Sequence, residues 1–203
     1  DQVLLKKVLP GHNVVIHLAC ISNDPSFDLN PELSKSINLD PFEPLVKISK
    51  DFGIEKFIYA SSSSVYGIKK EKNVIENMSL KPLTDYSKYK AVCEDILLKY
   101  SSNNFITCIL RPATVCGYSK RQRFDLVVNL LFNLGYQNKL ITVFGGDQLR
   151  PNIHISDMVE AYITILNSKV ENIHNQIFNV GYENQQVIEI ADIVKKNLKK
   201  NTI

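Results

Sequence analysis

The sequence predicts an α/β fold built on a doubly wound parallel sheet, and three observations predict it. Short continuous apolar runs recur along the chain: Asn13-Val14-Val15-Ile16-His17-Leu18, Lys56-Phe57-Ile58-Tyr59-Ala60 and Phe105-Ile106-Thr107-Cys108-Ile109-Leu110. Runs of this kind are typical of parallel strands covered on both faces. Longer helical patterns separate them, and strand–helix–strand alternation implies right-handed crossovers. The composition supports a core, since 44% of the 203 residues are hydrophobic and 22% charged, as in ordinary globular chains.

The first apolar run is the first strand, and Ser22-Asn23-Asp24-Pro25-Ser26 after it reads as a turn. A helical pattern covers residues 33–52, with Pro41 and Pro44 inside it predicting a kink or break. Gly53 ends that pattern before the second strand. A helix over residues 84–100 leads to the third strand. Beyond it, helix is predicted at 125–136, strand at 140–144 before Gly145-Gly146-Asp147, and strand at 152–155. A further helix runs to Leu166 with Ser156 as its N-cap and Asp157 in its first turn. Strand at 176–180 and an amphipathic helix at 187–198 complete the pattern.

Several function classes are excluded at this level. A net charge of +3 is small and dispersed, so no nucleic-acid partner is expected, and the Lys195-Lys196 and Lys199-Lys200 doublets read as a wet helix face. No apolar run reaches the ~18 residues of a membrane span, and the first residues do not read as a signal peptide. The four cysteines (Cys20, Cys93, Cys108, Cys116) form no Cys-x-x-Cys and no metal-ligand spacing with the four histidines. No metal site and a reducing cytoplasm are expected.

In open α/β sheets, ligands bind beyond the carboxyl ends of the strands. Ala19-Cys20, Ser61-Ser62 and Arg111-Pro112 stand there. The chemistry is carried by Tyr86 and Lys90, four apart in Thr84-Asp85-Tyr86-Ser87-Lys88-Tyr89-Lys90. On a helix such residues share one face. A nearby ammonium favours phenolate and draws the tyrosine from ~10 towards the range of a working base. A serine hydroxyl from the strand end in Ala60-Ser61-Ser62-Ser63-Ser64-Val65-Tyr66-Gly67 can polarise the same substrate oxygen. By itself a Tyr/Lys pair is more often a solvated helix face; the strand-end serines and the sheet framework make it a site for moving a proton on and off a carbinol. His17 and His154 read as structural strand residues, and Tyr59, Tyr89 and Tyr162 as packing residues.

These pieces, in this order, resemble the extended short-chain dehydrogenase/reductase family, the NAD-dependent nucleotide-sugar epimerases and dehydratases. The matching residues are Val15 to Cys20, Asn38, Ala60 to Gly67, Tyr86-x-x-x-Lys90, Leu110-Arg111-Pro112-Ala113-Thr114-Val115-Cys116-Gly117, Arg150 with Ile153-His154-Ile155-Ser156-Asp157, and Phe178-Asn179-Val180-Gly181. The resemblance implies a Rossmann-like cofactor domain over 1–118, with 151–168 packing back on it. It implies a substrate domain from 119–150 and 169–203. Tyr86 would be the acid/base, Lys90 would hold the nicotinamide ribose, and Ser62 would be the catalytic hydroxyl. Ala19, Cys20, Ala60 and Ser61 would line NAD through backbone, Asn38 would brace that side, and Pro112 would meet the carboxamide. NADP stays open, because the Gly-rich phosphate loop and the residue that selects between the two cofactors match nothing here. The chain is accordingly expected to be part of a protein of roughly 300 residues and, by itself, to bind dinucleotide poorly.

For the substrate, the resemblance implies a sugar nucleotide whose diphosphate pairs with Arg150, with Ser22, Ser63, Ser64 and Thr114 near the sugar. Arg121 and Arg123, in the basic run Tyr118-Ser119-Lys120-Arg121-Gln122-Arg123, read either as a grip on phosphate oxygens or as a solvated loop. The implied reaction is hydride transfer at a sugar carbinol, usually C4, as in a UDP-glucose 4-epimerase. A net dehydrogenase or ketoreductase, and a non-catalytic dinucleotide-binding scaffold, are the alternatives. The 4,6-dehydratases carry Asp and Glu directly after the catalytic hydroxyl; Ser63 and Ser64 stand there, and hydroxyls cannot replace tuned carboxyls in eliminating water. The resemblance implies a homodimer through the helix after the first strand and the helix bearing Tyr86; Val92, Ile96 and Leu97 permit that contact, and the same residues equally serve packing on the sheet.

Overall fold

The structure, a computed structural model, describes residues 1–22, 24–71 and 73–200. It divides into two compact units, Asp1–Arg111 with Ile165–Asn179, and Pro112–Thr164 with Val180–Ile203. The expected domain limits fell at 118/119, 150/151 and 168/169, a few to many residues from these packing boundaries.

The first unit opens with helix α1 (Gln2–Val8), whose N-cap Asp1 accepts from the Val3 and Leu4 amides at 2.8 and 3.2 Å. Strands β1 (Val14–His17), β2 (Lys56–Ala60) and β3 (Ile106–Pro112) pair in parallel in the register Ile16–Ile58–Cys108, and the sheet order is β1-β2-β3-β6, with β6 at Gln176–Val180. The parallel sheet and α/β class are as predicted. β3 matches the apolar run that announced it, buried at all but its last residue. β1 does not: it lies at an edge of this sheet and Ile16 is 38% exposed.

Between β1 and β2 stand α2 (Asp24–Asp28), α3 (Pro31–Asn38) and α4 (Phe42–Asp51). The turn expected at Ser22 to Ser26 is therefore partly a short helix, and Asn23 lies outside the described residues. Proline explains how the predicted 33–52 helix divides. Pro41 sits at the break, whereas Pro44 falls in the first turn of α4, where its missing N–H has no intrahelical partner to lose. Pro31 opens α3 for the same reason, with the Asn30 side chain accepting from the Leu33 amide at 3.0 Å.

Helix α5 (Asp85–Tyr100) begins at a reciprocal capping box. The Ser87 amide donates to Thr84 Oγ1 at 3.3 Å and the Thr84 amide to Ser87 Oγ at 3.1 Å. Its inner face joins Phe42, Val46, Ile54, Phe57, Tyr59, Phe105 and Ile109 in the main core through Cys93 and Leu97. Of the three residues expected to meet a second copy, Leu97 is thus fully buried and Ile96 packs on the core; Val92 is exposed.

The second unit holds a sheet in the order β4-β5-β7, formed by β4 (Thr114–Cys116), β5 (Leu149–His154) and β7 (Glu183–Gln186). β4 and β5 are parallel, β5 and β7 antiparallel. Helices α6 (Val127–Asn138) and α9 (Val187–Lys200) pack together over Leu131, Val187, Ile190, Ala191 and Val194. Gly135 permits the approach, since a Cβ there would stand 2.5 Å from Leu198 Cδ1. The strand expected at 140–144 does not form: Ile141 and Val143 cover this helix pair, Phe144 is 84% exposed, and among the described residues no strand edge pairs with the segment. Helix α7 (Ile155–Asn167) starts one residue before Ser156, so Ser156 lies in the first turn instead of capping it. The short helix α8 (Val170–Ile173) precedes β6.

Candidate active site

The site is built where β2 ends. The Ser61 amide donates to Leu110 O at 2.8 Å, extending the pairing with β3 one residue past the strand. Ser62 follows in extended conformation (φ −160°, ψ 146°) and caps a 3-10 helix, Ser63–Tyr66. Its Oγ accepts from the Ser64 amide at 3.2 Å and from the Ser64 hydroxyl at 2.8 Å. Gly67 closes the turn at φ 67°, with its Cα side facing Lys81 O so closely that a Cβ would lie 2.1 Å from it; only glycine fits. α5 packs against this 3-10 helix, which brings the Ser62 turn beside the helix of Tyr86 and Lys90.

Lys90 is the electrostatic centre. It is only 6% exposed, and its Nζ donates to Ala60 O at 2.6 Å. The ammonium stands 4.9 Å from the centre of the Tyr59 ring and 5.8 Å from that of Tyr86, both favourable cation–π distances. The Cys20 thiol lies beside the same ammonium. Burial pushes the Lys90 pKa down, and the neighbouring thiols and Glu94 oppose that shift. Tyr59 goes the other way: burial holds its phenol well above the usual value, so it stays neutral. Tyr86 occupies the second position of α5, half-buried, with the Phe27 ring edge-on at 6.2 Å.

The loop after β1 is clasped from α3. Asn38 Nδ2 donates to Ile21 O and Asn38 Oδ1 accepts from the Ile21 amide, both at 2.9 Å. That asparagine therefore holds backbone next to Cys20 and Ser22, with Ala19 and Ser22 exposed and Cys20 half-buried. His17 is packed against rings: Phe42 lies at 5.5 Å, Tyr59 at 5.9 Å and Phe57 at 6.3 Å. Burial, reinforced by the Lys90 charge, drops its pKa to about 4, so the imidazole is neutral at pH 7.

The structure thus brings Ala60, Ser61, Ser62, Tyr86 and Lys90 to one strand end in the first unit, with Ser63 half-buried and Ser64 exposed on the same turn. Pro112, Thr114, Arg121, Arg123 and Arg150 belong to the second unit. There, Arg150 is exposed on β5 and Arg121 is exposed in its loop. Arg123 is engaged by Asp125 through Nε at 3.0 Å and Nη2 at 2.6 Å, and it holds that carboxyl below its usual range. Gly117, at φ 109°, lies against the His154 ring, which a Cβ would meet at 2.6 Å. Among the described residues no cluster of three His, Cys, Asp or Glu side chains suits a metal ion, and no helix is long and apolar enough to cross a membrane.

Sequence reasoning missed one assembly. Glu94, 2% exposed, accepts from Arg111 Nε at 3.0 Å and Nη2 at 2.6 Å and from the Ser61 hydroxyl. The signal was present: an acidic residue four after Lys90 on the covered face of α5, and an arginine closing an otherwise apolar strand run.

Known proteins share this fold. Residues 1–181 match the family described as the NAD dependent epimerase/dehydratase family. A Bacillus subtilis relative named an uncharacterized UDP-glucose epimerase, YtcB, is 33% identical over 94% of this chain and 60% of its own. The mouse dTDP-D-glucose 4,6-dehydratase is 29% identical over 88% of this chain and 50% of its own. The structure of UDP-glucuronic acid 4-epimerase from Bacillus cereus, in complex with UDP-glucuronic acid and NAD, superposes with a TM-score of 0.85 at 30% identity. It covers 99% of this chain, which covers 65% of that one. The chain spans about 60% of the length of the Bacillus subtilis relative. With the sheet, the serine-rich strand end and the Tyr/Lys helix in place, and with the family matched over most of its residues, the chain belongs to the NAD-dependent epimerase/dehydratase family.

Proposed function

We propose that the protein containing this chain is an NAD-dependent enzyme acting on a sugar nucleotide, and that it epimerises a carbinol carbon, C4, of the sugar. The observation that carries this reading is the buried Lys90 ammonium, held by the Ala60 carbonyl between the Tyr59 and Tyr86 rings at a strand end. Structural ammonium groups are rarely buried; burying one is costly unless it is paired or put to use. The donor set suits a nicotinamide ribose, whose hydroxyl oxygens match the N–H groups that Lys90 does not spend on Ala60. Lys90, Tyr86 and the backbone around Ala60 and Ser61 would hold that side, with Asn38 keeping the Ile21 segment in place.

The chemistry NAD would supply when bound is reversible hydride acceptance at the sugar carbon. The chain's own residues handle the proton. Tyr86 accepts it from the sugar hydroxyl; the Lys90 charge favours the phenolate; and Ser62, fixed by its capping role, hydrogen-bonds the same oxygen. Ser63 and Ser64 offer no carboxyl for eliminating water, so the reading is epimerisation and not 4,6-dehydration. In this reading the first unit binds the cofactor and the second, through Thr114, Arg121 and Arg150, the sugar nucleotide. Arg123 joins them where a phosphate replaces its Asp125 partner. The protein works as a cytoplasmic homodimer.

The test is to incubate the full-length protein with UDP-, GDP- and dTDP-sugars while following the reduced-nicotinamide absorbance and the sugar products. Interconversion of C4 epimers without net reduction is the expected result. Stoichiometric reduction identifies a net dehydrogenase, and no change in any sugar nucleotide overturns the proposal.

A further inference from the structure

The geometry points to Glu94 and Arg111 as positioning residues: through Ser61, this buried pair sets the Ser62 turn against the helix that carries Tyr86 and Lys90. The inference rests on the function proposed above and names how the same site is held.

Tyr86, Lys90 and Glu94 are spaced four and four apart, so they follow one another down one face of α5. Glu94 is 2% and Arg111 3% exposed. The carboxylate takes two bonds from the guanidinium and one from the Ser61 hydroxyl. Arg111 Nη1 donates onward to the Tyr66 hydroxyl at 2.7 Å and to Glu76 O at 3.0 Å, and the guanidinium lies 4.8 Å from the centre of the Tyr66 ring. The Tyr66 hydroxyl donates to Asn179 Oδ1 at 2.7 Å. One ion pair therefore ties α5, the end of β2, the end of β3, the 3-10 helix and β6.

Stability alone does not explain such a pair, because well-packed apolar residues in its place are often as good or better. Direction does. Hydrogen bonds fix angle and distance, whereas apolar contact is non-directional. Ser61 is held on two sides, by its amide to Leu110 O in β3 and by its hydroxyl to Glu94 in α5. Ser62 is the next residue, so slack at Ser61 passes directly to the Ser62 hydroxyl. A misplacement of about 1 Å at a reacting group can cost ~10²-fold in rate.

Two variants of the full-length protein test this. Ser61→Ala removes only the tether and leaves the ion pair intact; Glu94→Leu with Arg111→Met removes the pair without stranding a charge. In both, kcat should fall about 10-fold or more, with KM for the sugar nucleotide within about 2-fold. Amide hydrogen exchange at Ser64, Val65 and Gly67 should rise about 10-fold or more, while Phe57 to Tyr59 stay as protected as in the parent. Unchanged kcat together with unchanged exchange at the Ser62 turn in folded Ser61→Ala would overturn the inference. If the parent turns over no sugar nucleotide, the proposed function fails, and the exchange measurement, which needs no substrate, still decides the tether.

Discussion

Replacing Arg111 by Met should be among the most damaging single changes outside the apolar core. The substitution keeps most of the volume but leaves Glu94, 2% exposed, with the Ser61 hydroxyl as its remaining partner in place of a two-pronged guanidinium. Breaking a buried pair from one side costs about 3–5 kcal/mol, because the surviving charge is uncompensated. At ~2–4 °C of Tm per kcal/mol, the scale for units of about 150–250 residues, the expected loss is roughly 6–20 °C. Thermal unfolding followed by circular dichroism at pH 7 measures it. Lys88 and Asp85, a pair with side chains 53% and 50% exposed, supply the contrast. Lys88→Met should cost no more than about 0.5 kcal/mol. Adding Glu94→Leu to Arg111→Met should restore most of the lost Tm, since the two changes act on one interaction. An Arg111→Met protein melting within about 2 °C of the parent would refute the burial and pairing on which this reasoning stands.

The other predictions concern the cofactor side. Asn38→Ala removes both side-chain bonds to Ile21 and leaves its half-buried amide and carbonyl to find other partners. It should cost ~1–3 kcal/mol and raise KM for NAD more than KM for the sugar nucleotide, which denaturation and steady-state kinetics of the full-length protein check together. His17 predicts a pH effect. Its folded pKa of about 4 lies below the ordinary 6.5, so between those values the unfolded chain binds a proton that the folded one refuses. Stability should therefore fall as pH drops from about 6.5 towards 4, and His17→Phe should flatten that slope; an unchanged slope in the variant would contradict the packing of the imidazole among Phe42, Phe57 and Tyr59.

Much of the fold was legible because local signals and tertiary demands agreed. The apolar run at Ile106 to Leu110 is buried within β3, and the helix expected over residues 84–100 is α5. Where the two conflict, sequence misleads. Leu140 to Phe144 reads as a strand by composition, yet Ile141 and Val143 cover α6 and α9. β7 escaped because Glu183-Asn184-Gln185-Gln186 is entirely polar; its strand character comes from its antiparallel partner β5. Ser62, Tyr86 and Lys90 were legible as types at a spacing. That Lys90 is buried and held by Ala60 was not, since burial of an ammonium depends on the β2 end lying across the helix. The Glu94–Arg111 pair was harder still, because its partners lie 17 residues apart and meet only through the sheet.

The central claim is that Tyr86 moves the substrate proton with Lys90 beside it. The most direct measurement is kcat of the full-length Tyr86→Phe protein on its sugar nucleotide, with the fold verified by circular dichroism. A drop of ~10²–10⁴-fold with NAD still bound is the predicted result; turnover equal to the parent's would contradict the assignment of the acid/base.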